Sequence, residues 1–161
     1  MKTLSLKTIY TLLICTVIFF GCSKDNNGDS SGSGDEFLTA KVEGTAFNSN
    51  SLTVAASLNG NILLIQGSEN DGKAIRLNIV NYTGPGTFTT GDNLSNVNSA
   101  NYITVTPVAS WSSSFNLGSG TIKITSEADG AVEGTFTFTG YNAQDNTNKN
   151  VTEGKFKAIL Q

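Results

Sequence analysis

The chemistry open to this chain is limited first by a residue it lacks. Its 161 residues include no histidine. That removes Ser-His-Asp and Cys-His constellations and any zinc site built on imidazole. Carboxylates remain. Glycoside hydrolysis needs two acids roughly 5–10 Å apart across a cleft, and the acids to weigh are Glu127, Asp129, Glu133 and Glu153. Glu127 and Asp129 flank a turn, while Glu133 and Glu153 fall on outward strand positions, so all four read as solvated charges. Calcium takes six to eight oxygens. Glu69-Asn70-Asp71-Gly72 and Asp145-Asn146 offer oxygens without the spaced acids of a dedicated loop, and they read as turns. Gly118-Ser119-Gly120 has neither the spacing nor the lysine of a phosphate loop. No catalytic residue, metal or cofactor is expected. Aromatic rings are the remaining resource. Trp111 is the single tryptophan and sits among serines in Ser110-Trp111-Ser112-Ser113-Ser114; Tyr141 lies near a strand end. An exposed flat ring would stack on a sugar, and a buried one would only pack. Trp111 and Tyr141 are the candidate ligand contacts.

The charge balance narrows the partners. Ten basic residues stand against 13 acidic ones. Nucleic acid calls for clustered Lys and Arg, and anionic lipid for a polybasic patch; neither is present. Charged residues make up 14% of the chain, against about 25% in an average soluble domain. Ser, Thr, Asn and Gly take their place, a pattern of exported β-proteins.

The front of the chain has another character. Lys2 and Lys7 precede a twelve-residue, mostly apolar run from Ile9 to Phe20, and Gly21-Cys22 follows. A spanning helix needs about 20 apolar residues, so this run reads as a leader rather than a membrane span. Residues 1–21 resemble a bacterial lipoprotein signal peptide, with Gly21-Cys22 at the cleavage point. The resemblance implies acyl chains, palmitate among them, on Cys22 and attachment to the outer membrane. Two or more acyl chains anchor a protein stably. Without the leader 8 basic and 13 acidic residues remain, a net charge of −5. Only one cysteine is then left, so no internal disulfide is expected.

Residues 22–36 carry no large apolar side chain and read as a tether. Such a linker spans roughly 20 Å. Ser23-Lys24-Asp25 loosely resembles the export signal of some Bacteroidota lipoproteins, which implies the cell surface, with the periplasmic face as the alternative.

Residues 37–161 read as one all-β domain. Asn59-Gly60 is a hairpin signal, because both residues tolerate positive φ. Ile75, Leu77 and Ile79 alternate with Arg76 and Asn78, the period of a half-buried strand. Val132, Phe136 and Phe138 do the same, as do Phe156, Ala158 and Leu160. Ile62 to Ile65 is continuous and reads as buried on both faces. Ile103 and Val105 share a face. Leu52 to Leu58 reads as a strand, and Trp111 to Leu117 is ambiguous. Gly91 to Ala100 and Gly140 to Asn150 read as long polar loops. About eight to ten short strands at this spacing suggest an antiparallel β-sandwich, with a closed lipocalin-like barrel as the alternative.

The stretches Phe37 to Phe47, Gly84-Pro85-Gly86, Gly120 to Thr125, Glu133 to Phe138 and Val151 to Phe156 resemble an uncharacterised family of Bacteroidota lipoproteins. The resemblance implies a lipid-anchored all-β domain and carries no activity or binding residue with it. A non-enzymatic binding or interaction module of the envelope is therefore expected, held to the membrane by its lipid, with a glycan or an envelope protein as ligand. The alternatives are a small-molecule carrier, its cavity lined by Ile62–Ile65 and Ile75–Ile79, and a carboxylate-dependent hydrolase.

Overall fold

Strands form where apolar residues alternate with hydroxyls, amides and charges, because that period sends one set of side chains to each face of a sheet. The computed structural model describes residues 36–161. The leader, Cys22 and all of the tether but Glu36 lie outside the described residues. The strands are β1 (Phe37–Val42), β2 (Thr45–Asn48), β3 (Ala55–Asn59), β4 (Ile62–Ser68), β5 (Ala74–Val80), β6 (Gly86–Thr90), β7 (Ser99–Val105), β8 (Val108–Ser114), β9 (Ser119–Ala128), β10 (Ala131–Asn142) and β11 (Thr147–Ile159). A 3₁₀ turn, Ser51–Thr53, precedes β3, with the Asn50 side chain accepting from the Leu52 N–H. No helix among the described residues is long and apolar enough to cross a membrane.

All eleven strands join one antiparallel sheet in the order β2-β1-β11-β10-β8-β7-β5-β4-β3, with β9 beside β10 and β6 beside β9. The sheet curls into a half-barrel. One point draws β3 towards the C-terminus: Ala56 bridges Leu160, and the Gln161 N–H donates to the Ala56 carbonyl at 2.9 Å. The all-β antiparallel class expected from the sequence is what forms. The ambiguous Trp111 stretch is strand β8, which brings the count to eleven.

One edge of β10 is shared. Its first nine residues pair with β9, and Tyr141 then pairs with Ser112 of β8. β8 and β9 are thus one strand interrupted at residues 115–118. Opposite them, β6 and β7 are one strand interrupted at 91–98. The interruption is tightly built. Thr90 and Ser113, both fully buried, share a hydroxyl–hydroxyl bond of 2.6 Å. Gly118 has φ +69°, and a Cβ there would sit 2.3 Å from the Thr139 carbonyl oxygen. Only glycine suits both the backbone and the space.

The inner face holds the core. Ile75, Leu77, Ile79, Leu63, Ile65, Leu38 and Val132 are fully buried, with Phe136 and Phe156 nearly so. Each such side chain contributes roughly 1.5–3 kcal/mol on leaving water. Several expectations are corrected here. Ile62–Ile65 is not buried on both faces: Leu63 and Ile65 are, while Ile62 is 45% exposed, because nothing covers the outer face beside the β3–β4 turn. On β7 the buried pair is Ala100 and Tyr102, and Val105 points out. Leu52 lies exposed in the 3₁₀ turn. The Gly140–Asn150 loop shrinks to residues 143–146, since its polar residues pair across β10 and β11.

Candidate functional site

The register brings four turns to one end of the half-barrel. They are residues 43–44, 69–73, 106–107 and 143–146. β1 begins at the opposite end, where Phe37 pairs with Lys157. Beside the first two of these turns lies a cleft of about 240 Å³. The β1–β2 hairpin supplies Val42, Glu43, Thr45, Ala46 and Phe47; the β4–β5 turn supplies Glu69 and Lys73; β7 supplies Tyr102 and β11 supplies Lys149.

Charges around the cleft are mostly held by neighbours. Lys73 bonds Asp71 and lies 3.9 Å from Glu69. The hydrogen bond to Lys73 holds the Asp71 carboxyl below its usual value and raises Lys73 in turn. Glu69 accepts from the Asn48 N–H at 3.0 Å, and Glu43 accepts from the Asn150 N–H. Lys149 holds its ammonium 4.8 Å above the Trp111 ring, a cation–π contact. Tyr102 is 5% exposed. Burial pushes its hydroxyl upward in pKa, with Lys73 opposing and Glu69 and Asp71 adding to the rise.

A second depression lies on the outer face of β6, β9, β10 and β11. It is an open trough of about 410 Å³ lined largely by threonines. Thr89, Thr121 and Thr137 stand in register across three strands. It has no enclosing wall, and its floor is the solvent face of the sheet.

A family described as a domain of unknown function, DUF6252, matches residues 35–160. The chain belongs to the DUF6252 family. The match spans all eleven strands, and it agrees with the expectation of an uncharacterised family. No curated protein and no solved structure matches the chain.

Within the DUF6252 domain the two aromatic candidates part company. Trp111 is 7% exposed. Its ring packs on Tyr102 with centroids 5.8 Å apart, lies under Lys149, and donates Nε1–H to the Thr147 hydroxyl at 2.8 Å. Tyr141 pairs with Ser112, the neighbour of Trp111, so it points to the other face. Its hydroxyl donates to Asn146 Oδ1 at 2.7 Å. The two rings do not converge on one ligand.

Three of the four candidate acids are engaged by neighbours, and Asp129 sits in the β9–β10 turn at φ +53°. Glu127 accepts from the Tyr82 hydroxyl at 2.7 Å, Glu133 faces Lys157 at 3.6 Å, and Glu153 faces Lys41 at 2.8 Å. Among the described residues no three of His, Cys, Asp and Glu gather in a way that would hold a metal. Lys149, Lys73 and Glu43 are not marked out by the sequence. One signal for Lys149 is present: counting back by two from buried Val151 places it on the inward phase of β11, an unusual place for a lysine.

Proposed function

We propose that this chain is a lipid-anchored protein of a Bacteroidota outer membrane. Cys22 carries the acyl chains, and the DUF6252 domain stands at the cell surface as a non-enzymatic binding module. One observation carries the reading. The chain enters the domain at the start of β1 and the cleft opens beyond its end, six residues away, or roughly 20 Å at strand rise. Attachment and cleft are at opposite ends, so a tethered domain leaves its cleft free. Binding is favoured over catalysis because Glu127, Glu133 and Glu153 are each engaged by a neighbour. It is favoured over a carrier because Leu63, Ile65, Ile75, Leu77 and Ile79 fill the interior instead of lining a cavity.

Protease shaving of intact cells, beside a periplasmic control protein and the Cys22→Ala variant, tests the reading. The domain is expected to be cut from whole cells, and Cys22→Ala to leave the membrane fraction. A variant that stays with the membrane would sink the anchor, and protection equal to the control would sink the surface placement.

A further inference from the structure

We propose that two copies of this chain pair face to face through the outer surface of β7 and β8, about a two-fold axis that runs along those strands. This goes beyond the binding-module reading and does not depend on where the chain is anchored.

The sequence marks the surface. Residues 93–122 hold no Asp, Glu, Lys or Arg. They cover β7, β8, both interruptions and the start of β9. Six of the ten exposed large apolar side chains among the described residues fall in this one stretch. Leu94 and Val97 precede β7, Phe115 and Leu117 follow β8, and Val105 and Val108 flank the hairpin tip. The two interruptions touch, since a Cβ on Gly91 would meet the Leu117 carbonyl at 2.6 Å. Interface cores are depleted in charge, and grouped exposed apolar side chains mark an interaction site. The chain is net negative, so two copies meet with least repulsion where both lack charge.

Register selects the second copy and its orientation. On β7 and β8 the outward residues stand in rows: Val105 beside Val108, Ile103 beside Ser110, Asn101 beside Ser112. Tyr102 and Trp111 take the buried phase. The Asn101–Ser112 row is four strands wide, with Arg76 of β5 at one end and Tyr141 of β10 at the other. Facing sheets keep their strands nearly aligned. Half a turn about the line between β7 and β8 lays β7 over the partner's β8 and keeps every row. Val105 then meets the partner's Val108, and Asn101 meets the partner's Ser112. Leu94 and Val97 come over the partner's Phe115 and Leu117. Arg76 meets the partner's Tyr141, a cation–π contact made twice. An axis across the strands would set Arg76 against the partner's Arg76, a like-charge contact. The first operator alone gives each group a partner of the right kind, which is what an isologous interface requires.

The contact is small. Four strands, seven residues long, cover roughly 14 by 23 Å at the usual spacing and rise. A standard interface takes about 800 Å² from each partner, so the pair is weak and depends on concentration.

The test is sedimentation velocity of the full chain, with detergent micelles in excess, over about 1 μM to 1 mM. A rise from monomer to dimer is expected, and a monomer throughout would overturn the proposal. Val108→Asp acts at a side chain 81% exposed, and Phe115→Asp at a φ of +54° that aspartate tolerates. Each is expected to keep the Tm and weaken the dimer more than about tenfold, because it sets two carboxylates against apolar groups. Leu52→Asp, 79% exposed and outside the strip, is expected to leave the dimer unchanged; an equal loss there would overturn the surface. Arg76→Glu and Tyr141→Lys are each expected to weaken the dimer alone and to restore it when the two chains are mixed, since the new charges then face each other. A mixture no stronger than either variant would overturn the axis, and with it the proposal.

Discussion

Replacing Trp111 by alanine separates a core ring from a sugar platform. At 7% exposure almost all of the indole is out of water. It loses contact with the Tyr102 ring, the Lys149 ammonium and the Thr147 hydroxyl together. Gly140 cannot move in to fill the gap, because its backbone is held in the β10–β11 ladder. Large-to-small changes of this kind cost about 3–5 kcal/mol, out of a total stability of about 5–15 kcal/mol. For a domain the size of residues 36–161, the usual unfolding entropy converts that loss to a fall in Tm of roughly 11–19 °C. The assay is thermal and urea unfolding followed by far-UV circular dichroism, since the variant has no tryptophan to report. Trp111→Phe keeps a ring in place and is expected to cost about 1–2 kcal/mol for the lost hydrogen bond and volume. A change below about 1 kcal/mol for Trp111→Ala would refute the packing account and return the ring to the surface as a candidate platform.

Tyr82→Phe should cost about 1 kcal/mol, because the hydroxyl it removes donates to Glu127 at 2.7 Å while the packing on Phe88 survives; an unchanged melting curve would show the bond contributes nothing. Gly134→Ala should cost more than about 2 kcal/mol, since its Cβ would lie 2.2 Å from the Lys123 carbonyl and 2.6 Å from the Phe156 ring. Gly130→Ala meets no atom within 4 Å and is strained only by a φ of +73°, so about 1 kcal/mol is expected; equal losses at the two glycines would contradict the packing. Acid should loosen residues 91–98. Hydrogen bonds from Thr89 and Asn96 hold the Asp92 carboxyl below its usual value. Its contribution is whole above the ordinary carboxylate range and is lost as pH falls through the depressed folded value. Amide exchange in this loop should rise there in the native chain and stay level in Asp92→Asn; parallel curves would exclude the carboxylate.

Much of the sheet is legible from alternation alone. The inward phases of β5, β10 and β11 follow from Ile75-Leu77-Ile79, Val132-Phe136-Phe138 and Phe156-Ala158, where large apolar residues sit two apart. Alternation fails where the cue is weak. On β7 the aliphatics Ile103 and Val105 suggest one phase, and the sheet buries Ala100 and Tyr102 instead, because Tyr102 finds Phe47 and Trp111 on the inner side. On β10 and β11 the polar run from Gly140 to Asn150 mimics a loop. It forms strands because its backbone groups pair across the ladder whatever the side chains are. The site is less legible than the fold. Trp111 and Tyr141 stand out by residue type, yet they face opposite sides of the sheet, and the aromatic that lines the cleft is Tyr102.

The amino-acid sequence by itself determined the all-β class, most strand phases, the lack of imidazole chemistry and the family's strand-and-turn motifs. These are local properties: a period of two, a turn residue or an absent side chain is settled by neighbours along the chain. The tertiary structure alone decided that β10 shares one edge between β8 and β9, that four turns meet at the end opposite the chain's entry, and that Tyr102 and Lys149 face one cleft. Any alternating strand can pair with many others. The choice among them is made by contacts between distant residues, whose combined burial must offset the entropy of closing the loops between them.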